Sequence, residues 1–185
     1  MHTDDEQNPW RTLGAREVYD NAWINVRECD VIHPNNRPGI YGVVSFKNKA
    51  IGIIPLDDDL NTWIVGQWRY PLGLYSWEIP MGGGPLNDDV LTSAQRELEE
   101  ETGLRAADWS ELMRIHTSNS VTDEDGYVFV ARGLQQGQTR FDDTEIIKIR
   151  KLPLRDAVRM VLDGQITDSI SVGGLLKAGI QFGAV

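Results

Sequence analysis

The sequence predicts an α+β domain with helices packed on the faces of a mixed sheet. Three observations carry this: short runs rich in β-branched and aromatic residues, one capped helix in mid-chain, and two further helical segments near the end of the sequence. At 185 residues the chain supports one good core with an N-terminal elaboration. Residues 1–9 are acidic and polar and are expected to be a disordered tail. From Trp10 to Lys47 an N-terminal β region is expected, followed by a main domain over residues 48–185.

The elements follow in order. AWINVRECDVI and IYGVVSF flank the turn former HPNNRPG and predict a small antiparallel sheet. KAIGIIPL and TWIVGQWRY flank DDDLN and read as a hairpin. WEIP is a strand that runs into three glycines. Asp88 or Asp89 can cap a helix that Gly103 closes, giving a helix over about residues 89–102. SELMRIHT, GYVFVARGL and IIKIRKL are predicted strands. A helix follows Pro153 with Leu154, Ala157, Val158, Val161 and Leu162 at helical spacing. A second begins after Thr167 and turns Ile170, Leu175 and Leu176 inward.

Composition excludes several function classes. The net charge of −10 repels polyanions, so neither nucleic acid nor an anionic membrane surface is an expected partner. Cys29 is the only cysteine, and His2, His33 and His116 share no ligand spacing, which removes thiolate and imidazole zinc sites. No apolar run reaches the length of a membrane span, and the first residues lack the apolar core of a signal peptide; the expected compartment is the cytoplasm.

The chemistry gathers in the mid-chain helix. At about 100° per residue, with Glu97 at the origin, Val90, Ala94, Leu98 and Leu91 form the buried stripe and Glu101 falls inside it. Glu100 lies beside this arc, and Glu99 points toward water. Arg96 is one turn from Glu100 and pairs with it, whereas Glu97 and Glu101 have no obvious partner in the sequence. A run of glutamates is by itself compatible with a solvated face. Two of them on the edge of a buried stripe instead suit a hard cation such as Mg²⁺ or Mn²⁺, shared with substrate phosphates.

Gly82, Asp88, Arg96, Glu97, Leu98, Glu100, Glu101, Gly103 and Leu104 keep every spacing of the Nudix box, Gly-x5-Glu-x7-Arg-Glu-hydrophobic-x-Glu-Glu-x-Gly-hydrophobic. The one departure is Asp88, a methylene shorter than the family's glutamate. The run GQWRYPLGLYSWEIPMGGG resembles the segment preceding the box in the ADP-ribose and nucleoside diphosphate sugar pyrophosphatase branch. The resemblance implies a Nudix-type α/β/α sandwich with a mixed central sheet, and metal-dependent hydrolysis of a nucleoside diphosphate sugar to a nucleoside monophosphate and a sugar phosphate.

The resemblance also implies site residues. Glu97, Glu101 and Glu100 would hold metal with the backbone carbonyl of Met81, Arg69 would grip substrate phosphate, and Glu78 would lie near the metal cluster. The acidic run FDDTEII corresponds to a loop carrying a general base and a further metal contact, which places Asp143 and Glu145 on those positions, with Glu100 of the box as another base. Asp143 is again a shortened carboxylate. Glu124 in SNSVTDEDG falls in the family's substrate-recognition region, and Trp23 or Trp10 would stack on the base. A homodimer formed through the N-terminal sheet is implied as well. Two other readings stay open at this point: a Nudix pyrophosphatase for a dinucleotide or nucleoside triphosphate, and a non-catalytic nucleotide-sugar sensor.

Overall fold

A computed structural model describes residues 7–137 and 147–185. The chain forms two compact units, one built from residues up to Lys47 with Ser118–Glu124, the other from Asn48–Thr117 with Asp125–Val185. The first unit is a meander of β1 (Arg11–Asp20), β2 (Ile24–Ile32) and β3 (Pro38–Phe46), paired antiparallel in that order. Asn21 shapes the β1–β2 turn by accepting the N–H groups of Trp23 and Ile24 at 2.8 Å. The segment 118–124 is fastened to β3, where Tyr41 donates to the Ser120 carbonyl and Ser45 to Asp123, both at 2.6 Å. The first strand named from the sequence is AWINVRECDVI, and β1 precedes it within the region expected to be β-rich. All ten of its residues are exposed, and Leu13, Val18 and Tyr19 show no alternation, so backbone pairing rather than burial defines it.

In the second unit, β4 (Asn48–Pro55) lies between β7 (Met81–Pro85) and β9 (Asp125–Gln136), with β8 (Leu104–His116) beyond β9. The β4–β9 pair is parallel and its neighbours are antiparallel, which makes the expected mixed sheet. A separate antiparallel sheet holds β5 (Asn61–Arg69) between β6 (Leu74–Glu78) and β10 (Lys148–Pro153). Side-chain alternation sends the mixed sheet's apolar residues to both faces. Ile51, Ile53, Phe129 and Ala131 pack with Ala94 and Leu98 of α1 (Val90–Thr102). Ile54, Val128 and Val130 pack with α2 (Leu154–Leu162) and α3 (Ser169–Gln181) through Leu154, Val158 and Leu175. The result is the helix–sheet–helix sandwich that the sequence implied.

One local expectation fails. β4 and β5 do not form a hairpin, because β4 has both edges occupied by β7 and β9, and β5 has both occupied by β6 and β10. A single Leu56–Thr62 bridge joins them, and the turn between them carries the chain from one sheet to the other. Asp57 sets that turn, accepting from the amides of Asp59 at 3.0 Å and Asn61 at 2.8 Å and from Lys151 at 2.8 Å. The glycines after Pro80 form the edge strand β7, paired antiparallel with β4.

Burial of the Asp57 carboxyl works against its charge, but the bonds from Lys151 and Asn61 prevail and lower its pKa to about 2. An ordinary aspartate titrates near 3.9, so this group stabilises the fold above about pH 4 and the contribution disappears as pH falls through about 2. The difference in unfolding free energy between wild type and Asp57→Asn, from urea titrations at a series of pH values, is therefore expected to be largest above pH 4 and to shrink toward zero by pH 2.

Candidate active site

Helix α1 begins where Asp89, not Asp88, accepts the Thr92 N–H at 2.9 Å, and it stops at Gly103, whose φ of 70° belongs to the left-handed region. The Asp88 side chain is exposed, and it is the residue's backbone carbonyl that Lys49 approaches, at 3.1 Å. Packing of Ala94 and Leu98 against β4 and β9 turns the next face of the helix onto β7. Glu97 and Glu101 arrive there 8 % and 3 % exposed.

Both have partners that the sequence did not reveal. The Met81 amide donates to Glu101 Oε2 at 2.8 Å. Arg96 donates to Glu97 Oε1 at 2.6 Å, to Glu100 Oε2 at 2.6 Å and to the Gly83 carbonyl at 2.8 Å, which ties α1 to β7. Burial disfavours the Arg96 charge, yet the Glu97 and Glu100 carboxylates outweigh it and raise its pKa. Glu99 is half-buried and paired with Arg105 rather than free in water. A Cβ at Gly82 would lie 2.1 Å from the Glu97 carboxyl carbon, so a side chain there fits only if that carboxyl moves.

Arg69, at the end of β5, is bound along one edge by Glu78, with Nε 2.9 Å from Oε1 and Nη2 on Oε2. Glu78 is 2 % exposed, and this hydrogen-bonded carboxylate is the main reason the Arg69 pKa is raised; Asp168 and Glu101 add to it. A fork that gives one edge to Glu78 keeps donors on its other edge. The segment between Glu78 and Met81 is pinned along its length: the Ile79 amide donates to Ser171 at 3.0 Å, and the Pro80 carbonyl accepts from Ile53 at 2.8 Å.

Among the described residues, no group of three or more histidine, cysteine, aspartate or glutamate side chains converges as a ready metal cage. The expected trio is divided, because Arg96 draws Glu97 and Glu100 toward itself while the Met81 amide takes Glu101. The donor chemistry nevertheless fits a hard divalent ion that keeps several waters: two buried carboxylates one turn apart, all oxygen, facing a strand without side-chain bulk. Burying a carboxylate costs several kcal/mol, and a charge-assisted hydrogen bond returns about 1.5–3 kcal/mol. A cation adds to the stabilisation that these bonds give.

The remaining candidates are placed as follows. Trp23 is 67 % exposed in the β1–β2 turn. Trp10 packs on His33 and Tyr41, with ring centroids 5.0 and 5.3 Å away. Glu124 is half-buried in the segment 118–124 of the first unit. Asp143 and Glu145 lie outside the described residues. Asp168 and Ser171, next to Arg69 and Ile79, were not singled out by the sequence. Their signal is an aspartate capping an apolar helix, which reveals the cap but not what the cap touches.

Residues 47–169 match the NUDIX domain, and residues 10–44 match the nucleoside diphosphate sugar hydrolase N-terminal domain. The chain belongs to the NUDIX domain family. This Nudix hydrolase is 36 % identical over 177 residues to the ADP-ribose pyrophosphatase of Mycobacterium tuberculosis, with 92 % of this chain and 83 % of that protein covered. It is 27 % identical over 161 residues to the ADP-ribose pyrophosphatase of Bacillus subtilis, with 86 % of each covered. A solved structure of an ADP compounds hydrolase superposes with a TM-score of 0.84 at 20 % identity, covering 95 % of this chain and 97 % of that one, a likeness that shows the fold. The family generally works with a divalent metal ion, in keeping with the oxygen donors on α1.

A side chain at Gly82 is expected to disturb the site rather than the fold. Gly82→Ala should displace the Glu97 carboxyl and lower hydrolytic activity at least about ten-fold, while circular dichroism and the urea midpoint stay near those of the wild type.

Proposed function

We propose that this Nudix hydrolase cleaves the pyrophosphate bond of ADP-ribose or a related nucleoside diphosphate sugar, giving a nucleoside monophosphate and a sugar phosphate. The observation that carries the reading is the pair of buried carboxylates, Glu97 and Glu101, held against a glycine strand in the same unit as the half-engaged guanidinium of Arg69. The matching N-terminal domain and the ADP-ribose pyrophosphatase relatives support the choice of a nucleoside diphosphate sugar over other pyrophosphates.

In this reading Glu97, Glu101 and Glu100, with the Met81 carbonyl, hold Mg²⁺, for which Mn²⁺ can substitute. When bound, the metal supplies neutralisation of the pyrophosphate charge and a more acidic water. The chain's own residues do the rest. Arg69 directs the donors left by Glu78 at a phosphate oxygen. Arg96 keeps Glu97 and Glu100 oriented and fastens α1 to β7. A carboxylate from Asp143, Glu145 or Glu100 takes a proton from the attacking water. The new P–O bond forms as the bridging P–O bond breaks, and the bridging oxygen leaves with the departing phosphate. Trp23, exposed in its turn, offers a flat face to the nucleobase, and Glu124 contributes to substrate recognition. The protein is proposed to act as a homodimer through the exposed strand β1 of the N-terminal sheet.

Initial rates with Mg²⁺ on ADP-ribose, GDP-mannose, NADH and dGTP test the substrate class. A nucleoside diphosphate sugar is expected to lead; faster turnover of NADH or dGTP defeats the assignment, and binding of ADP-ribose without release of AMP makes the protein a sensor. Glu101→Gln should lower kcat by about two orders of magnitude or more with the fold intact, and unchanged turnover removes Glu101 from the metal site. Asp143→Asn and Glu145→Gln, compared across pH, identify the base as the variant that loses the acidic limb of the profile.

A further inference from the structure

Trp23 is 67 % exposed, so burial of its ring does little to hold it in place. What holds it is backbone. Its amide donates to the Asn21 side chain at 2.8 Å, and the Ile24 amide donates to the same oxygen at 2.8 Å. The Asn21 amide donates to the Ile24 carbonyl at 3.0 Å, and the Trp23 carbonyl accepts from the Lys47 amide at 2.9 Å. Both backbone polar groups of Trp23 are therefore engaged, one inside the β1–β2 turn and one across it.

Lys47 reaches this turn because it directly follows β3, whose last residue, Phe46, pairs with Ile24 of β2. Its ammonium lies 2.8 Å from Asp20 Oδ1 and 2.9 Å from Oδ2, and it also donates to the Asn21 carbonyl. Asn25 donates to the same Asp20 carboxylate at 2.9 Å and to Glu17 at 2.7 Å. Three strand ends thus converge on one turn, with Asp20 from β1, Asn25 from β2 and Lys47 after β3. Stability alone does not account for the arrangement. The Lys47 and Asp20 side chains are 39 % and 43 % exposed, and an ion pair in that much water contributes little to folding.

Its effect falls on binding instead. A ring that must be ordered when a ligand arrives loses affinity to that ordering, whereas a tryptophan on a fixed backbone has only two side-chain torsions left to settle. Lys47 is well placed to fix that backbone, since it bonds to the carbonyls on both sides of Ala22, those of Asn21 and Trp23. We propose that Lys47 is a positioning residue for nucleobase binding: with Asp20 and Asn21 it locks the β1–β2 turn so that the Trp23 ring is in place before the substrate arrives. The inference rests on the reading of Trp23 as the face that stacks on the base and adds the residues that hold that face.

A double-mutant cycle tests it, with kcat and KM measured in Mg²⁺ on whichever of ADP-ribose and GDP-mannose the wild type cleaves faster. Lys47→Met removes the ammonium and keeps both the backbone donor and the aliphatic stem; Asp20→Ala removes its partner. Each is expected to raise KM about five-fold, with kcat within about two-fold of the wild type and the urea midpoint unchanged. Lys47→Arg, which retains the charge, should recover most of the loss. Trp23→Ala should raise KM about ten-fold, and adding Lys47→Met to it should raise KM no further, because the lysine acts through the ring. An unchanged KM in Lys47→Met, a loss confined to kcat, or full additivity in the double variant overturns the positioning role and leaves the hydrolase reading in force. An unchanged KM in Trp23→Ala removes the stacking face and this inference with it, again without touching hydrolysis. A wild type that cleaves neither compound overturns the hydrolase reading as well.

Discussion

Two carboxylates buried one helical turn apart, against a strand of glycines, are the constraint around which the catalytic unit is arranged. Isolating a carboxylate from water costs several kcal/mol, and the Arg96 guanidinium on Glu97 and the Met81 amide on Glu101 offset part of that cost. The sheet makes the arrangement possible. β7 has no Cβ at position 82, so the Glu97 carboxyl occupies the volume a side chain would have taken. Leu98 and Ala94, fully buried on α1, keep the helix from rotating those acids out. The core and the site are consequently one piece of packing.

A second network repeats this economy from the other side. α3 is capped by Asp168, Asp168 holds Ser171, and Ser171 holds the Ile79 amide. Glu78 on one side of Ile79 orients Arg69, and Met81 on the other meets Glu101. Gly52 lets these parts approach, since a Cβ there would fall 2.8 Å from Ile79 and 2.9 Å from Ile170. Residues 78–81, from the end of β6 to the start of β7, thus connect both helical layers to Arg69 and to Glu101.

Much of this was legible in the sequence wherever the determinant is local. The 3.6-residue period put Glu97 and Glu101 beside the buried stripe, Gly103 ended the helix, and the Arg96–Glu100 pair follows from their spacing. What was not legible depends on partners distant in the chain. Whether KAIGIIPL and TWIVGQWRY pair with each other is decided by β9 and β10, which arrive far later and occupy the edges. That the three glycines after Met81 form a strand depends on β4, which pairs with them. The unexpected partners of Glu97 and Glu101 are a neighbouring arginine that turns back along the helix and a backbone amide, and sequence patterns record neither the rotamer of the first nor the position of the second. Asp168 reads as a helix cap and nothing more until the fold brings it beside Arg69.

The central claim is that a divalent cation completes the charge balance at Glu97 and Glu101. The most direct measurement is the anomalous difference map of crystals grown with Mn²⁺ and a non-hydrolysable analogue of ADP-ribose. The account predicts manganese peaks between the Glu97 and Glu101 carboxylates, with the analogue's phosphates beside them. Manganese bound elsewhere, with Arg96 and the Met81 amide still the partners of the two glutamates, would contradict it.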